Sequence, residues 1–212
     1  EIELLDAGTV KAWHFTLTDN HYLSERYIEE LKRVNRKSQV NYKRNILGQW
    51  VIAEGVIYDM FDENIHVYHE DLTPTFDEIN ICCDYGVSTV TTFGVMGIVK
   101  DTKQGNRYYL QEETYYDATQ RGVAQSDSDR VNDIVMLQDK YHLDRRSTLL
   151  LPHDAASLKA ACRKDPRIRM KVRTYAPDTY KDINRIQDLF NTERFFIHES
   201  CKNSITQVQT IS

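Results

Sequence analysis

From Ile79 onward the chain settles into a regular pattern of apolar runs separated by short polar breaks. Ile79 to Tyr85, Thr89 to Lys100 and Arg107 to Tyr116 each read as a strand, the last two separated by the turn "DTKQGN". Strands joined by such short turns make an antiparallel meander. Asp127 to Tyr141 then carries Val131, Ile134, Val135 and Gln138 at helical spacing, and "STLLLPHDAAS" follows as a short apolar strand ending at Asp154. The alternation continues with "IRMKVRTY" as a strand, Asp178 to Asn191 as a helix and "RFFIHES" as a strand. A meander followed by alternating helices and strands predicts a mixed α/β sheet with helices on both faces.

Before Pro74 the pattern is different. Ile28, Leu31 and Val34 recur at helical spacing behind Ser24, a candidate cap, so a helix is expected from about Ser24 to Asn35. In "ILGQWVIAEGVIYDMFDENIHVYHE", Gly48 and Gly55 punctuate β-branched and aromatic runs, as in extended segments or a hairpin. This part is too small and polar to be expected to fold alone. The expected division is residues 1–75 as a linking segment and 76–212 as the main domain. No internal repeat or low-complexity tract interrupts either part.

Composition narrows the function classes. The chain has 212 residues, enough for one large domain, and its formal net charge of −5 argues against a uniformly basic nucleic-acid coat. Cys82 and Cys83 are adjacent, Cys162 and Cys201 are distant, and no Cys-x-x-Cys pair occurs. That usage fits buried free thiols in a reducing compartment better than zinc or a disulfide framework. No apolar run reaches membrane-spanning length, and "EIELLD" lacks the basic flank of a signal peptide. A cytoplasmic location is expected.

The first candidate chemistry lies at strand ends. Asp84 closes the first strand of the meander and Asp154 closes the apolar strand after the first long helix. In α/β sheets ligands gather at strand ends. If these two strands are neighbours, their carboxylates converge, and their repulsion calls for a cation between them. Oxygen ligands favour magnesium or manganese, and two such ions about 3.5–4 Å apart activate a water and stabilise a leaving oxygen in phosphodiester hydrolysis. Strand-end aspartates also serve as ordinary caps and turn formers.

Secondary candidates surround this pair. Arg163, Lys164, Arg167, Arg169, Lys171 and Arg173 cluster at the start of a strand and could neutralise DNA phosphates, or simply form a solvated face. "LKRVNRKSQVNYKR" is a second basic run. His153 and His198 flank strand ends, where they could ligate metal or shuttle protons, although a structural role is the commoner one. Glu112, Glu113 and Asp117 on or past the third strand could support a metal from behind, and Glu112, Asp117 or His198 could supply a third ligand. Tyr115 and Tyr116 fit packing better than base stacking.

The phrases "HFTLTDNHYLSERYIEELK", "RNILGQWVIAEGVIYDMF", "CCDYGVSTVTTFGV" and "LLLPHDAASLKAAC", in this order, resemble the C-terminal part of tailed-bacteriophage large terminase subunits. The resemblance covers nearly the whole chain and implies a ribonuclease H-like nuclease. In that family acidic residues at two strand ends hold divalent metal, and the matching positions are Asp84 and Asp154. It implies a Mg2+- or Mn2+-dependent endonuclease, with a two-metal site, that cuts concatemeric double-stranded DNA during viral genome packaging. It also implies the portal protein, the small terminase subunit and an ATPase domain of the same protein as partners, in the host cell cytoplasm. The family's phosphate-binding Gly-rich loop with Lys-Ser/Thr does not occur in this sequence, so ATP hydrolysis by this chain is not expected. The family's downstream acidic segment is also not among these residues, so the metal site is expected to need more than they provide. A Holliday-junction resolvase or ribonuclease of the same fold, and a noncatalytic docking module of the motor, are the alternatives.

Overall fold

In the computed structural model residues 14–35, 39–49 and 56–211 are described. The chain divides into two compact units, residues 1–60 with 212, and 61–211.

In the first unit, helix α1 (Glu25–Asn35) begins where the Ser24 hydroxyl accepts the Tyr27 amide at 3.3 Å, as its capping position predicts. The basic run beyond it contains a second helix, α2 (Gln39–Asn45), which the sequence pattern did not suggest. Asn35 and Asn45 join the two helices side chain to side chain at 2.9 Å, and Ile46 is buried just after them. Part of the expected extended region, residues 50–55, lies outside the described residues.

The second unit opens with the short helix α3 (Glu63–His66) and the two-residue strand β1 (Val67–Tyr68). The meander is β2 (Glu78–Asp84), β3 (Val90–Val99) and β4 (Arg107–Asp117). Then come α4 (Ala118–Arg121), α5 (Asp127–Lys140), β5 (Thr148–Pro152), α6 (Ala156–Lys164), β6 (Lys171–Tyr175), α7 (Thr179–Asn191), β7 (Phe195–His198) and α8 (Lys202–Thr210). The seven strands form one sheet in the order β1-β7-β4-β3-β2-β5-β6. β3 runs against β2 and β4, while the other neighbouring pairs are parallel. This sheet reaches back past the expected division at residue 75, because β1 pairs with β7.

Period-two alternation decides which face each residue takes. Ile81 and Cys83 of β2, Phe93 and Val95 of β3, and Leu149 and Leu151 of β5 are buried with Val131, Ile134 and Leu137 of α5 and Leu158 and Cys162 of α6. The opposite face is covered by α7 and α8, where Phe190 meets the Phe195 ring edge-on at 5.2 Å and Glu113 contacts the start of α8. Helices therefore do lie on both faces. Two of them, α6 and α8, went unanticipated: α6 is only nine residues long, has no side-chain cap and buries just Leu158 and Cys162.

Candidate metal and nucleic-acid site

β2 and β5 are adjacent and parallel, with Ile81 opposite Leu149 and Cys82 opposite Leu150. Continuing that register sets Asp84 level with Pro152, the last residue of β5, and Asp154 in the turn immediately beyond. The strand thus ends two residues earlier than expected, because proline has no amide to continue the ladder. Both aspartates are exposed, and among the described residues neither side chain has a hydrogen bond or ion pair. Both act on a shared neighbour. The phenol of Tyr175, at the end of β6, is pushed up to about 12 by burial first, then by the Asp84 carboxylate, with a smaller contribution from Asp154.

The chain behind Asp84 is firmly held. The Tyr85 hydroxyl lies 3.4 Å from Asp127 of α5 and 3.2 Å from Ser157 of α6, and its ring packs under the Arg130 guanidinium at 4.8 Å. Arg130 is buried and donates to the carbonyls of Gly86 and Gln125 at 2.9 Å each. A Cβ on Gly86 would lie 2.2 Å from the Val90 carbonyl oxygen, so the Asp84-Tyr85-Gly86 turn admits only glycine at its third place. Thr91 closes the loop with a 2.8 Å bond to the Gly86 carbonyl.

The further acidic and histidine candidates are engaged elsewhere. Glu112 accepts from Lys140 at 2.6 Å and from the Tyr141 hydroxyl at 2.7 Å. Glu113 accepts the Asn203 and Ser204 amides at the start of α8, at 2.8 and 3.0 Å. Asp117 caps α4 through the Thr119 and Gln120 amides. His198 bonds Ser200 at 2.7 Å and ends β7, separated from β2 by β4 and β3. Among the described residues no group of three or more His, Cys, Asp and Glu side chains is arranged to hold a metal. Alternation alone could not reveal the engagement of Glu112 and Glu113, which depends on helices packed from elsewhere in the chain, whereas Asp117 and His198 are taken by residues two or three positions on.

The six basic candidates do not form one patch. Arg167 forks onto Asp165, which this guanidinium holds down at about 2, and Arg169 pairs with Asp139 at 2.6 Å. Lys171 and Arg173 alternate with Thr174, whose hydroxyl faces Lys159 of α6, so they point to the other face of the sheet. By the same alternation that is the face Asp84 takes, while Arg163 and Lys164 are exposed on α6. With His153, Ala156, Lys159 and Ala160 they line an open groove of about 400 Å³ beside Asp154. Lys159 and the placement of His153 in this groove were not anticipated, because the helix that gathers them was not.

All four cysteines are free thiols, three of them buried and Cys82 partly so. Among the described residues no helix is long and apolar enough to cross a membrane.

No family model and no curated protein matches the chain. Solved structures do. The large terminase of the thermophilic bacteriophage D6E superposes with a TM-score of 0.76 at 27% identity, over 99% of this chain and 50% of that one, and the same terminase in complex with ADP matches equally well. The nuclease domain of the P22 large terminase matches with a TM-score of 0.52 at 13% identity, over 73% of this chain and 78% of that domain. The chain thus spans about half the length of the D6E protein. Its structural neighbours are large terminase chains, and its fold is the ribonuclease H-like fold of terminase nuclease domains.

Proposed function

We propose that this chain is the nuclease part of a viral DNA-packaging motor, a divalent-metal-dependent endonuclease that cuts concatemeric double-stranded DNA. The observation that carries the reading is the pair of exposed carboxylates that have no side-chain partner among the described residues, Asp84 and Asp154, at the same end of two adjacent parallel strands in a terminase-nuclease fold. Two hard oxygen donors with no paired Lys or Arg among the described residues fit Mg2+ or Mn2+. Bound there, the metal would supply Lewis-acid stabilisation of the scissile phosphate and an acidified water. Asp84 and Asp154 would hold it, and water and groups beyond these two side chains would complete its coordination, in a two-metal arrangement if a second ion joins.

The remaining roles fall to this chain's own side chains. Lys159, Arg163 and Lys164 neutralise backbone phosphates in the groove beside Asp154, and such contacts position DNA without reading its sequence. Arg130, Tyr85 and Gly86 keep the Asp84 loop from moving as charge develops. The ATPase domain, the portal protein and the small terminase subunit are the proposed protein partners, and the host cell cytoplasm the place of action.

The test is cleavage of supercoiled plasmid across a manganese and magnesium titration, with Asp84→Asn and Asp154→Asn beside the unaltered chain. Metal-dependent cutting lost in both variants supports the reading. DNA binding with no cutting under any metal would sink it in favour of a noncatalytic docking module. Preferential cutting of four-way junctions or of RNA would replace it by a resolvase or a ribonuclease.

A further inference from the structure

The end of β5 contains a missing hydrogen-bond donor. The Thr148 amide points toward β2, bonding the Asn80 side chain at 2.8 Å, so by alternation the backbone groups of residues 148, 150 and 152 all face β2. With Cys82 opposite Leu150, the next amide in the ladder, that of residue 152, would meet the Cys83 carbonyl. Residue 152 is proline, which carries no N–H. A buried carbonyl left without a donor is costly.

The donor comes instead from one strand further out. Tyr175 pairs in register with Pro152, and its hydroxyl reaches across the end of β5 to donate to the Cys83 carbonyl at 3.1 Å. A tyrosine phenol is protonated at neutral pH, so it acts as the donor to this carbonyl. The bond spans β6 to β2 and straddles the turn that bears Asp154. It fixes the peptide immediately before Asp84 against the strand end from which Asp154 projects.

We infer that Tyr175 is a positioning residue: its hydroxyl, replacing the amide that Pro152 lacks, sets the separation of Asp84 and Asp154 and thereby the affinity for the divalent cation. The inference rests on the nuclease reading above. Pro152 leaves the strand end free to turn at once, so that Asp154 can face Asp84, while Tyr175 restores the lateral tie that the proline removes.

The experiment measures Mn2+ affinity by calorimetry and by electron paramagnetic resonance, for the unaltered chain, Tyr175→Phe, Pro152→Ala and the double variant. Tyr175→Phe keeps the ring and loses only the donor. It is expected to weaken Mn2+ binding by about tenfold, the effect of removing a group that orients a metal ligand, with an unchanged circular dichroism spectrum. Cleavage should need correspondingly more Mn2+ while its rate at saturating Mn2+ falls less. In the double variant residue 152 regains an amide, and Mn2+ affinity should return toward that of the unaltered chain. Equal affinity in Tyr175→Phe and the unaltered chain, or a double variant no better than Tyr175→Phe, would overturn the inference alone. An unaltered chain whose Mn2+ binding is absent, or unchanged by Asp84→Ala, would overturn the nuclease reading and this inference with it.

Discussion

The Arg130 guanidinium donates to the Gly86 carbonyl at 2.9 Å, a bond from the first turn of α5 to the loop that follows Asp84. Arg130 is almost fully buried, its ion pair with Asp127 is 3.3 Å long, and the Tyr85 ring covers its other side. One cation therefore joins a helix terminus, a strand end and the turn between two strands.

Replacing it with methionine of similar length should destabilise the chain by about 2–4 kcal/mol, since the Gln125 carbonyl loses its donor, the Gly86 carbonyl keeps only that of Thr91, and the Asp127 pair is broken. Urea denaturation monitored by circular dichroism gives the number. Cleavage should fall as well, because Asp84 sits two residues before Gly86. A destabilisation below about 0.5 kcal/mol would mean the loop is held without Arg130.

Asp84→Ala and Asp154→Ala should each abolish metal-dependent cutting and leave the fold intact. Neither carboxylate has a side-chain partner among the described residues, so deletion strands no buried donor and relieves like-charge repulsion. Without metal, the melting temperature should hold or rise. With Mn2+ added, the unaltered chain should gain stability by mass action and the variants should not. An active Asp84→Ala chain would remove the site from this end of the sheet.

The split of the basic residues makes a directional prediction. Reversing Lys159, Arg163 and Lys164 to glutamate should weaken binding to all duplex sequences and lower the slope of log K against log salt by roughly 0.9 for each phosphate no longer neutralised. Reversing Arg167 and Arg169 should change it far less, because Asp165 and Asp139 already neutralise them. Fluorescence anisotropy in EDTA, over a salt series, separates the two groups. Equal weakening by both sets would return the whole cluster to a single phosphate surface.

Alkali should destabilise the chain. Burial raises the thiols of Cys82 to about 11 and of Cys162 and Cys201 to about 12, from an ordinary value of 9. Above pH 9 the unfolded chain releases these protons while the folded chain keeps them. Their stabilising contribution is therefore complete below pH 9 and lost as pH rises through 11 to 12, on the order of 1 kcal/mol per thiol per pH unit. Melting temperatures from pH 8 to 10.5 check this, and Cys162→Ala should flatten the fall.

Much of this protein is legible in its sequence because the information is local. The meander from Glu78 to Asp117, helices α1, α5 and α7, and strands β5, β6 and β7 follow from periodicity, since a face that must be buried has to recur at 2.0 or 3.6 residues. Asp84 and Asp154 stood out for the same reason, as charges interrupting apolar runs at strand ends. Short, uncapped α6 gave too few buried positions to announce itself, and with it the groove of Lys159, Arg163 and Lys164 stayed hidden.

Other features were settled only by tertiary structure. Sequence does not order strands, and the adjacency of β2 and β5 required the whole sheet. Glu112 and Glu113 looked available because their partners, Lys140 and Tyr141 and the α8 amides, become visible only once the backbone is folded around them, while Asp117 and His198 are held locally by the α4 amides and by Ser200. Arg167 and Arg169 belonged to a basic run until Asp165 and Asp139 claimed them. Pro152 and Tyr175 are 23 positions apart and carry no shared motif, yet one lacks the donor that the other supplies. A hydrogen bond acts over about 3 Å of space whatever the distance along the chain, so periodicity can say which residues face inward but not which of them meet.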